Sequence, residues 1–133
     1  MRRFNQGFTL IEIMIVIAII GIVVTIGYPS ITEYVKKTHR TEIAGLLSEQ
    51  AQNLERFYSK NSVYTNATGL SAGNDYYTIT PTLTDQTFSL TAARKSGSMM
   101  ASDKCGDFTI TNTGLRTIAN ATTGLTTKDC WGR

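Results

Sequence analysis

Residues that could do chemistry are few in this chain, and they lie far apart. One acid, Glu12, sits inside a stretch from Phe8 to Ile31 that is 24 residues long and carries no other formal charge. One histidine, His39, has charged neighbours but no second histidine and no cysteine nearby, so solvation is its plain state and no metal site is expected. The two cysteines, Cys105 and Cys130, have a spacing that fits no zinc pattern. Either they bond to each other, which requires an oxidising compartment, or they are two unrelated buried thiols. Arg94, Lys95, Lys104, Lys128 and Arg133 gather in the same third of the chain with Trp131, and Asp103, Asp107 and Asp129 lie among them. A bond between the cysteines would draw Lys104 and Lys128 together, giving a basic patch able to contact phosphates, with Trp131 available to stack on a base. The competing reading is a set of ordinary solvated charges and a tryptophan used for packing. There is no G-x-x-x-x-G-K, no G-x-S-x-G and no H-E-x-x-H. Counting alone leaves serine–lysine and paired-carboxylate schemes open, but the acids are scattered. Neither a catalytic residue nor a cofactor is expected.

Glu12 carries the sharpest physical argument. A carboxylate in a membrane span costs about 2.5–3.5 kcal/mol at mid-helix and less near an interface, so it marks a functional partner by default. Near a helix N-terminus it can also be a favourable acid at headgroup level with no further role. The stretch around it is long enough to cross a bilayer, since a helix of that length spans about 36 Å against a hydrocarbon core of about 30 Å. A signal-peptide core is usually 7–15 residues with a small-residue cleavage site; this run is longer, and Tyr28-Pro29-Ser30 is no such site. Basic residues flank both ends, Arg2 and Arg3 before and Lys36, Lys37 and Arg40 after, so charge counting does not choose an orientation.

The elements that must hold these residues follow from periodicity. Gly21, Gly27 and Pro29 weaken the helix and predict a kink or meltable segment, not an end. Beyond them Ala44, Leu47, Ala51, Leu54 and Tyr58 recur at steps of three and four, with Ile43, Leu46 and Phe57 widening the stripe. With no proline between Pro29 and Pro81, one helix is predicted from Phe8 to about Lys60, roughly 80 Å long. Residues 61–75 read as an irregular connection, long enough to suggest a use of its own. Alternating β-branched and aromatic runs predict strands at 76–80, 87–92 and 108–111, with a short fourth at 115–118 after an Asn112-Thr113-Gly114 turn. The class is α+β, with an antiparallel sheet. Residues 120–128 show no periodicity, and the last five would fray without an anchor.

The junction Gly7-Phe8-Thr9-Leu10-Ile11-Glu12, after a short basic leader and before a long apolar helix, resembles the processing motif of type IV pilins and type II secretion pseudopilins. The resemblance implies that a prepilin peptidase cuts between Gly7 and Phe8 and methylates the new Phe8 amine, and that the apolar helix stays on the mature subunit. It implies that Glu12 pairs with the Phe8 amine of a neighbouring subunit, and that Gly21 and Pro29 are the helix-weakening positions of filament-forming pilins. Cys105 and Cys130 match the pilin disulfide in position, so the chain-entropy estimate of about 3.5 kcal/mol for such a loop applies if they bond. Arg40-Thr41-Glu42, the run from Ala51 to Tyr58 and Asp129-Cys130-Trp131 are similar to minor pilins of the PilE type, a subgroup related to a competence pilin that receives DNA.

The expectations are therefore a pilin fold divided into a leader (1–7), a transmembrane or filament-core half-helix (8–31) and a head (32–133). Cleavage would lower the formal charge from +3 to +1 by removing Arg2 and Arg3. The subunit is expected in the inner membrane with its head in the periplasm, and afterwards in the pilus. Its implied partners are other pilins, the prepilin peptidase and assembly machinery, and DNA at Arg94, Lys95, Lys104, Lys128, Trp131 and Arg133. A minor pilin acting in assembly is the leading expectation; a major pilin, a competence pilin and a pseudopilin are the alternatives. Motility, adhesion and DNA uptake are the roles at stake.

Overall fold

The computed structural model describes residues 5–132. Its element order is α1 (Leu10–Asn61), β1 (Tyr77–Leu83), β2 (Phe88–Arg94), β3 (Asp107–Thr111), β4 (Arg116–Ala119) and α2 (Thr127–Trp131). The chain divides into two compact units at Val35 and Lys36, and α1 contributes to both.

In the first unit α1 opens on a reciprocal pair: the Glu12 amide donates to Thr9 Oγ1 at 3.2 Å, and the Thr9 amide donates to Glu12 Oε2 at 3.5 Å. This is a capping box, which satisfies donors that a helix start leaves free. From there the side chains are exposed all round, with Phe8 at 78% and Leu10 at 80%. A window of this helix has mean hydropathy 2.8, long and apolar enough to cross a membrane. The helix continues unbroken through Gly21 and Pro29, where the sequence suggests weakness. Proline removes one backbone donor, and nearby hydroxyls bond back to the backbone: Thr25 donates to the Gly21 carbonyl at 2.5 Å and Thr32 to the Tyr28 carbonyl at 2.9 Å.

In the second unit, residues 36–61 of α1 cover an antiparallel sheet of order β1-β2-β3-β4. The register places Ile79 opposite Ala92, Leu90 opposite Ile110 and Phe108 opposite Ile118, so one face of the sheet is apolar. Ile43, Leu47 and Leu54 of α1 join Tyr77, Leu90 and Phe108 in the core. The stripe read from sequence is shifted in phase. The most buried α1 positions are Arg40, Ile43, Leu47, Gln50 and Leu54, while Ala44, Ala51 and Tyr58 are only half-buried. Two polar residues hold core positions because each has its own partner; Gln50 Oε1, for instance, accepts from the Ser71 amide at 2.8 Å and ties down the 61–75 connection.

Strand β1 runs on to Leu83, three residues past the end read from sequence. Pro81 is tolerated because β1 is an edge strand, where a missing N–H breaks no ladder bond on the open side. The end of the chain, which would fray without an anchor, is held by a short helix, α2, opened by a capping box between Thr126 and Asp129 and closed by Gly132 at φ 81°.

Candidate functional site

The disulfide joins Cys105 to Cys130, with Cα atoms 5.6 Å apart, and both residues are buried. It fastens α2 to the start of β3. Gly106, next in the chain, has φ 69°, and a Cβ there would lie 2.1 Å from the Ala119 carbonyl oxygen. Glycine at 106 therefore lets the bonded loop close against the end of β4.

Two ion pairs brace the segment before the disulfide. Arg40 grips Asp103 with two parallel bonds, Nε to Oδ2 at 2.9 Å and Nη2 to Oδ1 at 2.6 Å, at 5% and 2% exposure. Arg94 donates to Asp107 Oδ1 through its backbone N–H at 3.0 Å and through Nε at 3.2 Å, and its Nη1 reaches the Asp103 carbonyl at 3.0 Å. Burial raises the Asp107 pKa, but bonds from the Arg94 backbone, the Asn120 amide and the Arg94 side chain outweigh it, holding the carboxyl below its ordinary value.

These contacts redistribute the basic residues read from sequence. Arg94 is committed to Asp107 and is half-buried, so it is a brace and not a free contact. Trp131 is 7% exposed, packs edge-on against Phe108 with ring centroids 5.3 Å apart, and donates its indole N–H to the Thr117 carbonyl at 3.1 Å. Packing, the competing reading, is what the tryptophan does; its burial leaves no open face for a base. Lys95, Lys104 and Lys128 are exposed. The last two both lie near Asp129, whose carboxyl is held below its ordinary value first by bonds from the Thr126 backbone and hydroxyl and then by those lysines. Arg133 and most of the basic leader lie outside the described residues. Sequence reading missed Arg116, whose guanidinium carbon stands 5.3 Å above the Trp131 ring.

Comparison with known proteins fits this geometry. Residues 2–28 match the model of the prokaryotic N-terminal methylation motif. The methylation motif, the exposed apolar helix, the four-stranded antiparallel sheet and the bonded C-terminal loop define a type IV pilin, and the chain belongs to that family. Within it, residues 29–109, more than half of the chain, match the model described as type IV minor pilin ComP, DNA uptake sequence receptor. A type IV major alpha-pilin of Moraxella bovis is 37% identical over 91 residues, 67% of this chain and 57% of its own length. The chain spans about half the length of the curated relatives it matches. Among solved structures, a type IV pilin from Shewanella oneidensis is 32% identical with TM-score 0.55, covering 64% of this chain and 93% of its own. The Neisseria meningitidis non-core minor pilin PilV, 19% identical with TM-score 0.59 over 70% of this chain and 94% of its own, shares the fold.

Proposed function

We propose that this chain is a minor pilin, cleaved between Gly7 and Phe8, held in the inner membrane by its apolar half-helix with the head in the periplasm, and then packed into a pilus. The observation that carries the assembly role is the first unit: a helix exposed on every side, with aliphatic surface that only lipid or other such helices can cover. Glu12 is the register device. Unpaired burial of its carboxylate and of the Phe8 amine would cost several kcal/mol, and their pairing between subunits recovers part of that. The minor assignment rests on the match to a minor-pilin family model, with relatives among major pilins as the alternative. The pseudopilin alternative is weaker, because the bonded cysteine pair fits the pilin pattern. Its work is structural, without catalysis.

A second reading, that the head receives DNA during uptake, is favoured by the family description over residues 29–109. Of the residues that sequence reasoning offers for it, Arg94, Lys95, Lys104, Lys128, Trp131 and Arg133, the three lysines are exposed.

The test of the main reading combines two measurements on sheared, purified fibres. Intact mass of this subunit should show loss of seven residues and gain of one methyl, and its stoichiometry should be a small fraction of the fibre. A subunit still beginning at Met1 removes the processing claim. One that forms most of the fibre mass makes it a major pilin.

A further inference from the structure

The shifted phase of α1 leaves small residues, Ala44, Gly45, Ser48 and Ala51, on the flank facing the β3–β4 hairpin. Two cavities lie along that flank, of about 500 and about 300 Å³, and they share Ser48 and Arg116. Together they form a trench beside α1 from Thr41 to Arg56, about 22 Å long at the helical rise. Its floor is apolar where Phe88 and Ile110 reach it, and its polar groups come from α1, at Ser48, Gln52, Glu55 and Arg56, and from the hairpin, Arg116 among them.

Those two arginines differ from the others in the head. Arg40 and Arg94 are each committed to an aspartate. Neither Arg56 nor Arg116 has a carboxylate partner among the described residues. Glu55, the acid on the trench wall, accepts a bond from the Tyr64 hydroxyl at 3.0 Å and keeps its charge, so the two arginines leave the trench with an excess of positive charge, not a purely basic lining. Arg116 is also held in place: its guanidinium lies over Trp131, a cation–π contact that fixes the plane while leaving the N–H edges free to donate. An ordered, unpaired guanidinium edge suits phosphate, which it can grip bidentately. A trench with one such group and a second, exposed guanidinium at Arg56 suits a linear polyanion better than a compact one.

We infer that a DNA strand lies along this trench with its phosphates on Arg56 and Arg116, and Asn112 of the hairpin turn donating beside them. The inference rests on the DNA-receptor reading and moves its centre away from the disulfide. Near the disulfide the Asp129 carboxyl interacts with both Lys104 and Lys128; in the trench Glu55 opposes the arginines, but Arg116 is held by Trp131 and has no carboxylate partner among the described residues. Backbone contact through two arginines gives affinity and salt dependence without sequence choice.

The test is fluorescence anisotropy of a labelled 20-nucleotide DNA, single-stranded and duplex, titrated with the mature full-length chain in nonionic detergent across a salt series. Arg56→Gln with Arg116→Gln should weaken binding roughly tenfold and make the slope of log K against log salt shallower by about 2, one unit per lost phosphate contact. Because Arg116 packs on Trp131, a second variant avoids that contact: Ser48→Glu with Arg56→Gln puts a carboxylate into the trench from a helix position that favours glutamate, and should give the same loss. Lys104→Gln with Lys128→Gln should leave the slope near that of the wild type. Wild-type binding with undiminished affinity in both arginine variants overturns the trench while the DNA reading stands. Equal losses from the arginine and lysine pairs indicate diffuse surface charge and overturn it as well. No wild-type binding at the lowest salt sinks the DNA reading and the trench together; if self-association then depends on the same arginines, the trench belongs to a carboxylate of a second copy.

Discussion

The two units of this pilin treat charge and apolar surface in opposite ways. In residues 5–35 the aliphatic side chains face outward, and Glu12 bonds locally to Thr9 in the helix cap. In residues 36–132 the aliphatic side chains close on one another, and arginines are buried because aspartates reach them. The first unit therefore leaves its apolar surface exposed, whereas the second closes over its own core. One helix runs through both. Helix formers become commoner beyond Val35, and there the apolar face of the helix is received by the core of the head.

The largest expected effect that sharpens this contrast is in the head. Arg40→Ala leaves Asp103 buried without its partner and should destabilise the head by about 3–5 kcal/mol, read by urea denaturation. A loss below 1 kcal/mol would mean that the pair is solvated and the head less self-contained than described. Cys105→Ser with Cys130→Ser should cost about 3.5 kcal/mol by the same measurement and expose the α2 segment to protease, since closure of that loop is lost. Unchanged protease resistance would show that Trp131 packing alone anchors the end. Neither change should alter membrane insertion of the first unit.

A smaller effect concerns the cap. Thr126→Ala should cost about 1 kcal/mol, because it removes the oxygen that accepts from the Asp129 amide. An intact disulfide with unchanged stability in that variant would make the capping box idle. The smallest is a pH effect. The Asp107 carboxyl is depressed in the folded state, so its contribution is present above the ordinary carboxylate pKa of about 3.9 and fades as pH falls through the lower folded value. Wild-type stability should therefore drop below about pH 4, and the drop should be shallower in Asp107→Asn. Parallel pH curves for the two proteins would contradict the assignment.

How much of this was legible in the sequence divides along the same line. The apolar half-helix and the Gly7-Phe8 junction need only local pattern, and they could be read directly. Strands were found where β-branched and aromatic residues alternate, but β1 was ended early because an edge strand accepts Pro81 and edge position is a property of the sheet. The Thr9/Glu12 and Thr126/Asp129 capping boxes were readable as a hydroxyl followed three residues later by an acid, and both were passed over. Nothing local announces that Arg40 will meet Asp103, 63 positions away in the chain. For the same reason Arg94 looked like an exposed contact and Trp131 was left between packing and binding: a basic or aromatic residue near a cysteine reads alike whether it faces water or a partner. Arg116 was missed because its neighbour, Trp131, is distant in sequence, and the trench because it depends on the phase of α1 against the sheet.

The central claim is that the first unit is completed by other subunits through the charge on Glu12. The most direct measurement is the amount of this subunit in sheared fibres for wild type, Glu12→Gln and Glu12→Ala at matched cellular level and matched leader cleavage. Glutamine can keep the capping box but not the charge, so the account predicts that both variants are processed normally and both are depleted from fibres. Normal incorporation of Glu12→Gln, with loss confined to Glu12→Ala, would reduce Glu12 to a helix cap and contradict the claim.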